Sequence, residues 1–224
     1  MKLACLCALL LGCGALAAQA NRDAISPVTI RGNIGIQKPL TSSKFQKSFA
    51  GLYEANVSVN VRIAGNLSAG AGYQNTYFKN NEYLRRQVTT RASVPYRTSL
   101  ICDAGFIRLG YDHFYKKNAF VGYALYGGYA FCRYTDVNSD TSALNLPLLE
   151  QTFRAPYIQP EISLNFVMER RLAFSFFLSY TTMLYKYDAR APRLNHFPEI
   201  NERGDRFPIM YFNFGFGFTV LLGK

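Results

Sequence analysis

Six charged residues stand at alternate positions within stretches that are otherwise apolar or neutral: Arg31, Glu54, Arg62, Arg108, Asp112 and Glu161. In a confined interior such groups pair, because an isolated charge away from water is costly. A salt-bridge network is therefore the chemistry expected of them. The sharper alternative is a proton or ion path, or a pore gated by exchange of pairs. His113 and His196 are the only histidines. His196, beside Asn195 and Glu199, is the candidate base for hydrolytic chemistry, which needs a hydroxyl within hydrogen-bond reach. No Ser–His or Asp–His pairing accompanies it. Two histidines and two distant cysteines, Cys102 and Cys132, do not make a metal-binding set, so neither metal nor cofactor is expected. The glycines from Gly122 to Gly128 lie in an extended stretch and suit packing or bending, not a phosphate cradle.

Cationic residues concentrate in two polar segments: Lys38, Lys44, Lys47, Lys79, Arg85, Arg86, Arg91 and Arg97. A third polar segment is acidic, with Asp136, Asp140 and Glu150. Lys44, Lys47, Arg85, Arg86 and Arg91 are candidates for contact with lipopolysaccharide phosphates, since guanidinium and ammonium groups match phosphate oxygens. A merely solvated loop surface is the alternative.

Residues 1–20 differ from the rest. Met1-Lys2 is a short basic start, Leu3 to Ala17 is apolar, and Ala18-Gln19-Ala20 fits cleavage of a secretory signal before Asn21. Leu10-Leu11-Gly12-Cys13 also resembles a lipobox, but apolar residues run on through Ala18, which favours cleavage after Ala20. The expected organisation is a signal peptide over 1–20 and one domain over 21–224. Removing the signal takes Cys5, Cys7, Cys13 and Lys2, leaving 24 basic against 14 acidic residues, a formal +10. An exported protein of that charge is expected to meet lipid phosphates rather than nucleic acid.

The elements that position these residues alternate with period two, as half-buried strands do. Eight segments are expected, near 28–37, 51–63, 66–78, 98–115, 119–134, 154–168, 172–187 and 208–222. In the second, Tyr53, Val57, Val59, Val61 and Ile63 oppose Glu54, Asn56, Ser58, Asn60 and Arg62. In the last, Phe212, Phe214, Phe216 and Phe218 oppose Asn213, Gly215, Gly217 and Thr219. Links at 39–50, 79–97, 135–152 and 188–206 are long and polar. Those at Ala64-Gly65, Lys116-Lys117-Asn118 and Glu169-Arg170-Arg171 are short. Alternating long and short links are the pattern of an outer-membrane barrel, with both chain ends on the periplasmic side.

The expected fold is thus all-β: a closed, eight-stranded, antiparallel up-and-down transmembrane β-barrel. A soluble barrel also alternates, but its outer face usually carries Lys and Glu, which here sit mostly in loops. A small neutral-polar face fits a narrow lumen, and a bulky face fits lipid. Tyr53, Tyr77, Tyr111, Tyr187 and Tyr211, near strand ends, suit interfacial aromatic girdles. His113 is placed in the same belt. Cys102 and Cys132 flank one short turn. If Tyr115 faces Ala119, paired residues sum to 234, as 102 and 132 do. They would then be cross-strand neighbours with Cβ atoms about 4.5–5.5 Å apart. An oxidising periplasm allows a disulfide, while one bulge near Gly105 would separate them. Bonded and free states both stay open.

The signal, the eight amphipathic strands, the long-short links and the aromatic last strand together resemble the small outer-membrane barrels of the OmpA-domain and OmpX type. In that family the last strand usually serves as an assembly signal ending in an aromatic residue, whereas this chain ends Gly223-Lys224. The resemblance is architectural and carries no functional motif. The expected function is a non-catalytic outer-membrane barrel with a structural or interaction role, or a subunit of a larger secretion or surface assembly. The expected partners are outer-membrane lipids, lipopolysaccharide and envelope proteins. Alternatives are a lipid-modifying or hydrolytic enzyme on the same scaffold, or a narrow pore.

Overall fold

Alternation leaves each strand with one bulky apolar face and one small or polar face, and a closed sheet is the arrangement that sends one face inward everywhere. The computed structural model describes residues 26–81, 85–89, 92–95, 98–116, 118–136, 151–169, 171–189 and 204–222, with backbone alone for 85–89, 92–95 and Asp136. The candidate signal segment, Arg91, the acidic Asp140 and Glu150, and His196 lie outside the described residues.

The elements in chain order are β1 (Val28–Thr41), α1 (Ser43–Ser48), β2 (Phe49–Ala64), β3 (Leu67–Asn80), β4 (Arg85–Thr89), β5 (Ala92–Pro95), β6 (Thr98–Lys116), β7 (Ala119–Asp136), β8 (Gln151–Glu169), β9 (Leu172–Lys186) and β10 (Pro208–Leu222). Eight of the strands close a barrel in the order β1-β10-β9-β8-β7-β6-β3-β2. Every pairing is antiparallel, and β1 meets β10 from Val28↔Leu222 to Thr41↔Met210. The expected architecture is therefore present.

Two links are not plain loops. The 39–50 link contains α1, and the 79–97 link contains the separate β4–β5 hairpin. Both were hidden because their polar side chains break the period-two pattern. The β2–β3 turn runs through Gly65, whose φ of 52° is in the left-handed region that favours glycine.

The faces are the reverse of a soluble barrel. Phe214 is 55% exposed and Leu164 43%, while Ser163 is 2% and Asn213 0% exposed. A long series of large apolar side chains, from Ile30 through Leu222, is likewise exposed around the outer wall. A soluble monomer does not present such an area to water. No helix among the described residues is long and apolar enough to cross a membrane; strands do so here, and closure pairs their backbone groups.

The lumen departs from expectation in one respect. Its loop-bearing end is aromatic, not small and polar. Phe45, Phe49, Phe78, Tyr134, Tyr187 and Tyr211 are all buried. Tyr187 and Tyr211 therefore belong to the interior, not to a girdle. Tyr211 shares its parity with the inward Asn213, while Tyr187 follows the end of β9 and packs on Phe45 with ring centroids 5.4 Å apart. Tyr53 and Tyr77 do lie on the outside, stacked at 5.8 Å.

Candidate functional site: the barrel lumen

Inward parity places Arg31 on β1, Glu54 and Arg62 on β2, Arg108 and Asp112 on β6, and Glu161 on β8. Five of them gather at one end of the lumen, and Glu54 stands apart. Arg31 Nη2 lies 3.0 Å from Glu161 Oε1, with both side chains nearly inaccessible. Asn33 braces this pair: it accepts from Arg31 Nε at 3.1 Å and donates to Glu161 Oε2 at 3.4 Å. Arg108 reaches the same carboxylate indirectly. Its Nε donates to the Tyr126 hydroxyl at 3.2 Å, and that hydroxyl donates to Glu161 Oε2 at 3.0 Å. Arg108 Nη1 also donates to Asn60 Oδ1 and Ser68 Oγ, each at 3.4 Å. One carboxylate thus anchors two guanidiniums, one directly and one through a phenol.

Glu54 occupies a separate layer, nearer the loops. It is fully buried and accepts from three neutral donors. Gln159 Nε2 is 3.0 Å away, Asn213 Nδ2 2.8 Å and the Tyr211 hydroxyl 2.9 Å. Gln159 also donates to Ser179 Oγ at 3.0 Å, which ties β8 to β9. Arg62 and Asp112 line a cavity together with Arg31 and Arg108, at the end of the barrel that carries the short turns, the start of β1 and the end of β10.

Tyr126, the bridge between Arg108 and Glu161, was not singled out from the sequence, nor were Phe106, Tyr157 and Phe177. Each shares parity with inward neighbours. Tyr126 stands at inward parity between Ala124 and Gly128, its ring edge-on to Phe106 with centroids 5.1 Å apart. The signal was a large residue set in a row of small ones.

The cysteines face each other. Residues of β6 and β7 pair with a constant sum from Thr98↔Asp136 through Cys102↔Cys132 to Phe114↔Phe120. The shift lies at the turn, where Lys116 rather than Tyr115 opposes Ala119. Gly105 pairs regularly with Tyr129, without a bulge. The two sulfurs are bonded, with Cα atoms 4.0 Å apart.

The loop-bearing mouth is closed by α1. Ser42 caps it, its hydroxyl accepting from Phe45 N at 3.3 Å, and Phe45 points into the aromatic cluster. Asp205, from the link before β10, accepts from Lys44 N at 3.4 Å, Arg206 N at 2.8 Å and Phe207 N at 3.4 Å. Burial pushes the Asp205 carboxyl up, but hydrogen bonds from Ser42, Phe207, Lys44 and Arg206 outweigh it and hold the group below its ordinary value. Asn81 Nδ2 donates to Gln46 O at 3.0 Å and Lys47 O at 2.6 Å, pinning the other side.

Of the candidate phosphate contacts, Lys44 and Lys47 ride on α1, with Lys47 exposed and Lys44 Nζ 3.5 Å from Gly204 O. Arg85 and Arg86 stand on β4, opposite Pro95 and Val94. The loop cations are thus spread over two elements. His113 stacks edge-on against the exposed Tyr115, with centroids 4.7 Å apart. Among the described residues no three His, Cys, Asp or Glu side chains converge as a metal set would.

No protein-family model matches the chain, and no curated protein matches it in sequence. Among solved structures, Neisserial surface protein A is 12% identical with a TM-score of 0.50, over 88% of this chain and 98% of that one. OprG from Pseudomonas aeruginosa is 11% identical with a TM-score of 0.45, over 87% and 96%. At such identity the first likeness is one of fold alone: the chain has the architecture of the small outer-membrane β-barrels.

Proposed function

We propose that the protein is a non-catalytic outer-membrane β-barrel that acts through its outer surfaces, as a structural or interaction component of the envelope. The observation that carries this reading is the closed loop-side mouth. Phe45 is fully buried among Phe49, Phe78 and Tyr187, with Tyr134 and Tyr211 beyond, and α1 is pinned from two sides. A barrel of eight strands has an interior that side chains fill, and here they fill it with rings. Transport would require these rings to leave, whereas binding at the rim would not.

The partners follow from charge. Lys44, Lys47, Arg85 and Arg86 supply cations on the loop side, where phosphates of lipopolysaccharide would lie, and Arg91 follows them in sequence. Exposed Arg133 and Arg154, on neighbouring strands near the same end, add two from the wall. Arg154 lies over the Phe131 ring at 5.2 Å, so its guanidinium stays beside the wall rather than in free solvent.

The test is cross-linking in intact cells, extraction in mild detergent and identification of what accompanies the barrel, with planar-bilayer recording of the same preparation. The expected result is a defined protein or lipopolysaccharide companion and no steady conductance. A steady single-channel current from the wild-type chain would overturn the reading, as would lipid turnover by the purified barrel.

A further inference from the structure

At the end opposite α1 the lumen is not filled. A cavity of about 60 Å³ lies between Ser26, just before β1, and the ends of β2, β3, β6, β8 and β10. A water needs roughly 10–15 Å³ measured this way, so several solvent-sized groups fit. Its rim is apolar, with Phe114, Phe120, Val167 and Leu221. Its interior is cationic.

Three arginines line it, Arg31, Arg62 and Arg108, against one carboxylate, Asp112. Glu161 is not in the lining, and its oxygens are engaged by Arg31, Asn33 and Tyr126. Even with Glu161 included, positive groups outnumber negative ones among the described residues. Glu54 does not correct the balance, because its own layer of neutral donors holds it. Arg31 and Arg108 are each 4% exposed, so bulk water does little to offset their charge. Arg31 Nη2, moreover, touches Glu161 without hydrogen-bond geometry. A buried excess of guanidinium calls for an anion, and the guanidinium fork suits a phosphate.

We propose that this cup binds a small phosphate-type oxyanion, entering from the end where β1 starts and β10 ends. Because α1 closes the other mouth, the cup is blind and its occupant is held, not conducted. Arg62, the least buried of the three, stands at the opening to meet the ion. Arg108 and Arg31 form the floor, with Asn60, Ser68 and Asn165 beside them as neutral partners.

The experiment is calorimetric titration of the full barrel, folded in detergent micelles at low ionic strength, with inorganic phosphate and separately with glycerol 3-phosphate. Chloride serves as the control. Saturable phosphate binding is expected. Arg62→Gln should weaken it about tenfold, the loss of one charge-assisted hydrogen bond. Asp112→Asn, which removes a repelling carboxylate, should tighten it severalfold. A general loosening of the barrel cannot move the two variants in opposite directions, and heat-modified gel migration reports that each is folded. Binding of the ester as well as the free ion would assign a headgroup source; binding of the free ion alone would assign a soluble one. No saturable phosphate binding, or equal affinity in Arg62→Gln, overturns the proposal. Should Asp112→Asn fail to fold, Asn165→Asp replaces it: the added carboxylate must abolish binding, and retained binding overturns the proposal.

Discussion

Glu161 is the residue on which the lower lumen turns. It carries the direct bridge to Arg31 and, through the Tyr126 hydroxyl, the link to Arg108. Removing one partner of a buried pair leaves an uncompensated charge, whereas removing both does not. Glu161→Met, which leaves Arg31 and Arg108 without their carboxylate, should therefore cost about 3–5 kcal/mol of unfolding free energy, and Arg31→Met with Glu161→Met should recover more than half of that. Urea titration in micelles, followed by far-UV circular dichroism or gel migration because the chain has no tryptophan, measures both. A double variant no more stable than the single one would mean that the pair does not act as a unit. The alternation of Arg31 and Glu161 with apolar neighbours marked them as inward from sequence. Their pairing was not legible, since it depends on which strands the closure brings across the lumen.

At the scale of elements, α1 and the β1–β10 seam each rest on one local condition. For α1 it is Asp205, whose carboxyl is held low by backbone N–H groups and the Ser42 hydroxyl. A depressed folded value means that this contact stabilises above the unfolded carboxylate range, about 4, and is lost as pH falls through the folded value. The ¹⁹F resonance of fluorotyrosine at Tyr187, whose ring packs on Phe45, should stay constant above that range and shift as the pH drops below it. In Asp205→Asn the shifted signal should appear at neutral pH. A resonance indifferent to both changes would show that α1 is held by its aromatic packing alone.

For the seam the condition is space. A Cβ on Gly215 would lie 2.1 Å from Ile34 O and 2.5 Å from Gly35 Cα, both backbone atoms that cannot turn aside. Gly105, also in a strand, has nothing within 4 Å. Gly215→Ala should thus cost about 1–3 kcal/mol or more, and Gly105→Ala should stay within about 0.5 kcal/mol. Parallel unfolding curves check the contrast, and equal effects would refute it. Parity already sets the inward Gly215 apart from the outward Gly105, but only the paired register shows how closely Gly215 meets the neighbouring backbone.

For the whole molecule the decisive property is the direction in which the apolar face points. Ile162 stands on the outer wall among Leu125, Leu164 and Leu178, all exposed. Ile162→Arg should destabilise the barrel in bilayers by about 2–4 kcal/mol, and Thr152→Arg, near the loop-side rim, by about 0–1 kcal/mol. Folding into vesicles of defined thickness with urea titration measures the pair. Equal costs at the two depths would argue that the wall does not face hydrocarbon.

The eight strands, their faces and the alternation of long and short links were legible in the chain because period two is a property of each strand by itself. So was the sum that sets Cys102 opposite Cys132, since a hairpin register is set locally. What the chain alone did not disclose is everything decided across the lumen or over its mouth. Arg31 on β1 meets Glu161 on β8, Glu54 on β2 rests among donors from β8 and β10, and Phe45 folds inward to meet Tyr187. These partners are distant in sequence and come together only when β1 joins β10. Closure, by fixing which inward side chains share a depth, decides them.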